Sequence, residues 1–169
     1  MTGRTTHLGK KDRPRGVTAR SAGARKATKD AGVVKCADCG LVEHRGRWAK
    51  RAPVLAHMTS GLCPACQRIR DRYPAGTLRL PLELLSNRPS LRQRIRNVEV
   101  AERREHPLER LMGVEEADGH LVVTTTGVHL ARRIAHELSK ELHRKPSIRY
   151  ADGERLVHVQ WTARPLLER

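Results

Sequence analysis

Apolar residues first recur at helical spacing near the middle of the chain, at Leu91, Ile95 and Val98. Ser90 stands three residues before Gln93, which is the spacing of a capping box at a helix start. The pattern continues until the next proline, where a helix must stop. The sequence therefore predicts a helix that begins near Ser90 and carries most of its charged residues on the opposite face.

Two β-hairpins are predicted further along the chain, each around an Asp-Gly pair. Residues 111–125 alternate apolar and polar positions around Asp118-Gly119, and residues 148–161 do the same around Asp152-Gly153. Asp-Gly favours the type I′ turn that joins two antiparallel strands. Between the hairpins, an apolar stripe over residues 130–142 predicts a second amphipathic helix.

The element order αββαββ predicts an α+β domain over residues 90–161. A four-stranded, mostly antiparallel sheet with two helices on one face is the simplest arrangement that buries every apolar stripe. Residues 74–89 contain prolines and a glycine among irregular apolar positions, which favours a connector with at most one short strand. Residues 162–169 are expected to be a tail.

Four cysteines in the first half of the chain form two Cys-x2-Cys pairs. Cys36 and Cys39 are separated by 23 residues from Cys63 and Cys66. Each pair can turn two thiolates toward one point, and two such knuckles complete the tetrahedron that Zn²⁺ accepts. Gly40 after the first pair suits a knuckle, because glycine readily reaches positive φ. Residues 33–73 are therefore predicted to be a zinc ribbon with Zn²⁺ as its cofactor.

Other interpretations of the cysteines are two disulfides, a redox-active pair or unrelated thiols. Neither pair lies at a strand-to-helix junction of a βαβ unit, and disulfides do not persist in a reducing compartment. Four thiolates also leave no open position for a catalytic water. His44 and His57 flank the cysteines without a matching acid or base, and the sequence has no phosphate-binding glycine loop or nucleophile elbow. The chain is expected not to be an enzyme and to have no small-molecule substrate.

The net charge of +16, from 34 Lys and Arg against 18 Asp and Glu, favours a polyanionic partner. No apolar run is long enough to cross a membrane, so a cytoplasmic protein without a membrane partner is expected. Aromatic residues make up 2% of the chain, which disfavours base stacking and favours phosphate contacts. Residues 1–32, with nine Lys and Arg and two Asp, are predicted to be a disordered basic arm.

The candidate phosphate-binding residues follow from this charge pattern. The segment from Thr124 to His129 joins a strand to the second helix, where Thr126 is placed to cap the helix start and the first-turn amides could hold an anion. The alternative there is an ordinary helix cap followed by solvated arginines. The full candidate set is Arg4, Lys10, Lys11, Arg13, Arg15, Arg20, Arg25, Lys26, Lys29, Arg45, Arg47, Lys50, Arg51, Arg68, Arg70, Arg132 and Arg133.

Several segments resemble a known family. CPAC at residues 63–66, RIRNVE at 94–99, EHPLERLM at 105–112 and LVVTTTGVHLARRI at 121–134 are similar to small prokaryotic zinc proteins. These in turn resemble part of the archaeal and eukaryotic adapter for nuclear export of the large ribosomal subunit. The family pattern has an aspartate after the three threonines, where this chain has Gly127. The resemblance spans residues 33–161 and implies that the four cysteines are metal ligands and that the protein associates with RNA or the ribosome.

The sequence thus predicts a zinc-binding, RNA-binding protein whose partner is ribosomal RNA or a ribosomal subunit. A DNA-binding transcription accessory is the first alternative, since Arg-rich helices also suit duplex DNA. A cysteine-based redox sensor is the second, and it requires reactive thiols of low pKa.

Overall fold

A computed structural model describes residues 33–50, 58–153 and 155–163. The described residues form an α+β fold with nine strands, three α-helices and one 3₁₀ turn, so the predicted fold class is confirmed. In chain order the elements are β1 (Val33–Cys36), β2 (Val42–His44), β3 (Arg47–Ala49), β4 (Met58–Gly61), α1 (Pro64–Arg70), β5 (Gly76–Pro81), the 3₁₀ turn (Leu82–Leu84), α2 (Arg88–Glu105), β6 (Leu111–Ala117), β7 (His120–Thr125), α3 (Val128–Leu142), β8 (Ser147–Ala151) and β9 (Leu156–Gln160).

The first four strands form a small sheet in the order β3-β2-β1-β4. β1, β2 and β3 pair antiparallel, whereas β4 runs parallel to β1 along its whole length. This sheet and α1 make up the metal module, the name used below for β1 to α1. Its small core is built around the cysteines, with Leu41 and Ala65 buried beside them.

The remaining strands form a five-stranded sheet in the order β6-β7-β5-β9-β8. Both predicted hairpins are confirmed: β6 pairs with β7 and β8 with β9, and both residues of each Asp-Gly pair have positive φ as a type I′ turn requires.

The predicted four-stranded sheet is wrong by one strand. β5 lies in the span expected to be a connector, yet it is the central strand, antiparallel to β7 and parallel to β9. Gly76 and Pro81 are residue types that usually interrupt a strand. In the structure Gly76 allows close packing, because a Cβ there would overlap Ala131 and Thr125, and Pro81 is simply the last residue of the strand.

The two long helices cover one face of the large sheet, as predicted. Leu91 and Ile95 of α2 and five residues of α3 are buried against it, with Trp161 closing one end of the core. The α2 start differs by two residues from the predicted one. Asn87 is the N-cap, and its Oδ1 accepts a hydrogen bond from the Ser90 amide at 3.0 Å. Pro89 fits the first turn, where its missing N–H is not needed.

Within the described ranges, none of the helices combines the length and the apolar character that crossing a membrane would require. The predicted basic arm at residues 1–32 and most of the predicted tail, residues 164–169, lie outside those ranges.

Candidate metal centre

The four cysteines come together in a single cluster. All four are free thiols, and their sulfurs lie within 4.8 Å of one another. The Sγ atoms of Cys39 and Cys63 are 3.6 Å apart. A tetrahedral ion with bonds of about 2.3 Å to sulfur places its ligands about 3.8 Å apart. The cluster could therefore hold one metal ion.

The first pair lies in a tight turn between β1 and β2. The Cys36 amide donates to the Leu41 carbonyl at 2.7 Å, and the Gly40 amide donates to the Cys36 carbonyl at 3.0 Å. Gly40 has a φ of +72°, as the sequence predicted for a knuckle. This backbone turn points the Cys36 and Cys39 thiols to the same side.

The second pair is not a second knuckle, so the predicted zinc ribbon with two knuckles is not confirmed. Cys63 is instead the N-cap of α1, and its sulfur accepts a hydrogen bond from the Cys66 amide at 3.4 Å. Pro64 occupies the first helical position, which proline tolerates. The Cys63 amide also donates to the Cys36 sulfur at 3.3 Å, which ties the helix start to the knuckle.

The centre is closed by an arginine from outside the metal module. Arg110 is 7% exposed and donates from Nη2 to the Cys39 sulfur at 3.0 Å and from Nη1 to the Cys66 sulfur at 3.4 Å. Its Nε donates to the Pro107 carbonyl at 3.1 Å, which fixes the guanidinium plane. A divalent ion with four thiolates carries a charge of −2, so one buried guanidinium offsets half of it.

Hydrogen bonding and burial shift the thiol pKa values of the centre in opposite directions. Burial raises the pKa of the Cys36 thiol, but hydrogen bonds from the amides of Cys63, Cys39 and Asp38 outweigh it and lower the pKa to about 6. Burial raises the pKa of Cys63 and of Cys66. Burial opposes the charged form of Arg110, yet the hydrogen bond to Cys39 and the nearby sulfurs give a net increase in its pKa.

The threonine run holds the segment that carries Arg110. The Thr126 hydroxyl donates to the Leu108 carbonyl at 2.6 Å and accepts from the Arg110 amide at 2.8 Å, and the Thr126 amide donates to the Arg110 carbonyl at 2.9 Å. Leu108 in turn packs against the cysteine cluster. Thr126 is thus a link between the large sheet and the metal centre.

The predicted capping role of Thr126 is wrong. The N-cap of α3 is Gly127, which has no side chain to offer, and the Leu130 amide donates instead to Glu109 Oε2 at 2.9 Å. A Cβ on Gly127 would overlap the Glu109 carboxylate. Because the chain's own carboxylate occupies this helix start, the predicted anion site there is already filled.

The candidate phosphate-binding residues divide into three groups. Ten of them lie outside the described residues, as does His57: Arg4, Lys10, Lys11, Arg13, Arg15, Arg20, Arg25, Lys26, Lys29 and Arg51. Three others already have partners. Arg70 is 3.3 Å from Asp38, Arg133 is 3.6 Å from Glu102, and Arg68 lies over the Tyr73 ring at 5.5 Å.

The third group consists of exposed cations that form no ion pair with any described residue. Arg45, Arg47 and Lys50 lie on or beside the β2–β3 hairpin of the metal module, and Arg132 lies on the outer surface of α3. Arg45 and Arg47 lie at the β2–β3 turn, and Lys50 follows β3 at the other end of the same hairpin. Arg132 lies on the helix-covered side of the large sheet.

Sequence reasoning missed the uncovered face of the large sheet, called the open face below. Side chains alternate along each strand, so the polar partners of the buried core positions share this face. Register places Thr124, Thr77, His158 and Arg149 in neighbouring positions across four strands, with Arg79 one step along. A cavity of about 610 Å³ adjoins the face beside Arg72 and is lined by residues of α1, β6 and β7.

Arg110 was also missed, because nothing local to its sequence marks it as a partner of cysteines 44 and 71 positions away. Only the fold brings these residues together. In comparisons with known proteins, no family model, no curated protein and no solved structure matches the chain.

Proposed function

We propose that this protein is a non-enzymatic RNA-binding protein whose four cysteines hold a structural zinc ion, and that its partner is ribosomal RNA within a subunit. The observation that carries the proposal is the cluster of four cysteine sulfurs within 4.8 Å of one another, three of them buried, in a chain of net charge +16. Four sulfurs in a tetrahedron favour zinc among the common ions, and the closed set leaves no position for a reacting water.

Exposed cations on the β2–β3 hairpin support a phosphate-binding role. Arg45, Arg47 and Lys50 are exposed and form no ion pair with any residue that the structure describes. The zinc ion would fix the β1–β2 knuckle and the start of α1, and the β2–β3 hairpin that carries these cations is attached directly to that knuckle. Phosphate contacts from such residues supply affinity without sequence preference.

The open face provides a second contact surface for the same RNA. It offers hydroxyl, imidazole and guanidinium groups from Thr77, Thr124, His158 and Arg149 across neighbouring strands. These groups suit phosphates and 2′-hydroxyls rather than base stacking. The family resemblance of the cysteine and threonine motifs to ribosome-associated proteins points in the same direction.

The alternative of duplex DNA binding rests on zinc ribbons and Arg-rich helices, and several arginines of the Arg-rich helix α2 are engaged in ion pairs within the fold. Arg88 and Arg92 pair with Glu116 at 3.1 Å, and Arg94 pairs with Glu141 at 2.7 Å. Arginines engaged with carboxylates of the same fold are less available to a nucleic-acid backbone. This weakens the case for a contact of α2 with duplex DNA, and RNA remains the proposed partner.

The test is sedimentation of reduced, metal-loaded protein with purified ribosomal subunits at increasing salt. The logarithm of the binding constant should fall linearly with the logarithm of the salt concentration, because binding releases counterions from the RNA. The double variant Arg45→Gln/Arg47→Gln should bind less tightly, and its slope should be smaller by about 0.7 for each single-strand phosphate that is no longer neutralised. The control Arg88→Gln/Arg94→Gln removes the same charge from paired positions and should change binding less.

Crosslinking followed by RNase or DNase digestion identifies the nucleic acid, and elemental analysis identifies the metal. A protein that stays at the top of low-salt gradients, or that crosslinks only to DNA, contradicts the RNA assignment. Reduced protein that carries no metal contradicts the zinc assignment.

A further inference from the structure

A second cluster of metal-ligating side chains lies where the end of α2 meets the start of α3. It consists of Glu102, His106 and His129, whose ligand atoms lie within 4.8 Å of one another. Glu102 Oε1 is 2.9 Å from His129 Nε2 and 3.6 Å from His106 Nε2. The two imidazole rings are 5.3 Å apart and inclined by 64°. This cluster shares no residue with the cysteine centre.

These separations match those between ligands of one ion. Bonds of about 2.0–2.2 Å from nitrogen and carboxylate oxygen place neighbouring ligand atoms about 3.0–3.6 Å apart. Both histidines present the same ring atom, Nε2, toward the carboxylate. One ion between the three side chains would therefore need only small rotations.

The backbone that carries the cluster is fixed independently of any ion. His106 is the C-cap of α2, and its amide donates to the Glu102 carbonyl at 2.9 Å. His129 lies in the first turn of α3, where the Glu109 carboxylate holds the next amide. The three side chains are thus brought together by a helix end and a helix start that the fold already positions.

The accessibility of the cluster leaves room for solvent ligands. The side chains of both histidines are 54% exposed, whereas Glu102 is 11% exposed. A cavity of about 570 Å³ between α2 and α3 has Glu102 and Arg133 among its lining residues. Three protein ligands would occupy only part of an ion's coordination shell, in contrast to the closed cysteine centre.

We propose that Glu102, His106 and His129 form a second metal site, which binds a divalent transition-metal ion such as Zn²⁺, Co²⁺ or Ni²⁺. Two imidazoles and one carboxylate favour these ions over Mg²⁺ and Ca²⁺, which require mainly oxygen ligands. The ion would join the C-terminal end of α2 to the N-terminal end of α3. Water would complete its coordination on the exposed side.

Replacing Arg133 tests the proposal by the direction in which the metal affinity changes. Its Nε lies 3.6 Å from Glu102 Oε2, so its positive charge competes with an ion for the same carboxylate. Arg133→Gln should therefore raise the metal affinity several-fold, while loss of a ligand should lower it. A lower affinity in Arg133→Gln would place the ion away from Glu102.

The experiment is a Co²⁺ titration of full-length protein already loaded with one equivalent of Zn²⁺. One further equivalent should bind without the intense sulfur-to-cobalt absorption, because the cysteines retain zinc. His106→Gln, His129→Gln and Glu102→Gln should each lower the Co²⁺ affinity by at least about tenfold. His136→Gln is the matched control, since His136 is also exposed on α3 and lies outside the cluster.

The zinc content and the far-ultraviolet circular dichroism of each variant show that its fold is unchanged. The proposal is wrong if the zinc-loaded protein binds no further Co²⁺. It is also wrong if His129→Gln binds Co²⁺ as tightly as His136→Gln, because the ion would then lie on histidines elsewhere in the chain.

Discussion

At the scale of single residues, Arg110 stands out because its charged side chain is buried, unlike those of the other described charged residues. It is buried, it donates to two cysteine sulfurs, and its backbone amide donates to the Thr126 hydroxyl. Hydrogen bonds between charged partners in such surroundings are stronger than neutral ones. Replacing Arg110 should therefore lower both the metal affinity and the free energy of unfolding.

Arg110→Gln should lower the affinity for zinc by about 10- to 100-fold, the usual effect of losing a partner of a metal ligand. The physical reason is that two sulfurs lose their donors and the charge of the occupied centre is no longer offset. Competition with a chromophoric chelator measures the change. Arg104→Gln, an exposed position on α2, is the control, and an equal loss in both variants would contradict the assignment.

Thr126→Val should lower the free energy of unfolding by about 1–3 kcal/mol, because the Leu108 carbonyl and the Arg110 amide lose their partner without a change in shape. Urea denaturation monitored by circular dichroism measures it. Thr124→Val is the matched control, since Thr124 lies on the open face of β7, two residues before Thr126. A similar midpoint for both variants would show that the buried hydroxyl is not needed.

Glu109→Gln should destabilise the protein by about 1 kcal/mol, since the carboxylate both accepts from the Leu130 amide and lies at the positive end of α3. Gly127→Asp in the same background should restore stability, because aspartate is a good N-cap residue and the neutral side chain at position 109 can turn away from it. Thermal unfolding of the single and double variants measures this compensation. Additive losses would contradict it.

The residue scale also shows what the sequence could and could not predict. The four cysteines were identifiable because their spacing is local and their chemistry is specific. Thr126 was assigned to the wrong hydrogen bonds, since its partners come from a segment 16 and 18 positions earlier. Glu109 and Arg110 look like an ordinary charged pair in the sequence, and only tertiary contacts distinguish their roles.

At the scale of elements, local signals predicted the hairpins and long helices well. Asp-Gly turns and a helical apolar stripe are short-range features, so Asp118-Gly119 and the α3 pattern were sufficient. The short strand allowed in the connector is β5, but its central place in the sheet was not predicted, because a strand with neighbours on both sides has no hairpin turn of its own. α1 was missed because it is seven residues long and its start is defined by the cysteines.

Removal of the metal should affect a defined set of elements. With a chelator present, or in Cys63→Ser, hydrogen exchange should increase in β1, β2, α1 and residues 106–110, whose positions depend on the cysteine cluster. β5, β7 and β9 should remain protected, because their core is built from a separate apolar cluster. Mass spectrometry of peptides measures the pattern, and loss of protection in β5 would show that the two parts unfold together.

At the scale of the whole molecule, the open face and the metal module differ from the helical side in how many of their arginines form ion pairs. The open face and the metal module carry Arg45, Arg79 and Arg149 without ion pairs to described residues, whereas four of the six arginines of α2 are paired. A polyanion should therefore approach from the side of the large sheet that the helices leave uncovered. The net charge alone, read from the sequence, could not indicate a direction.

Arg79→Gln/Arg149→Gln should weaken RNA binding and reduce its salt dependence, because both positions lie on the open face. Arg132→Gln, on the helical side, should have a smaller effect even though it also removes a free cation. Filter binding with a subunit RNA fragment at several salt concentrations measures both. A larger loss in Arg132→Gln would reverse the proposed orientation.

The unequal burial of the four sulfurs would determine how an ion bound by them is released. Cys36, Cys63 and Cys66 are buried, whereas Cys39 is only partly covered. A competing chelator or oxidant therefore reaches the centre first at Cys39, the same sulfur that Arg110 approaches most closely. The guanidinium would attract anionic reagents to this sulfur, so we expect the rate of metal release to depend on the charge of the attacking reagent.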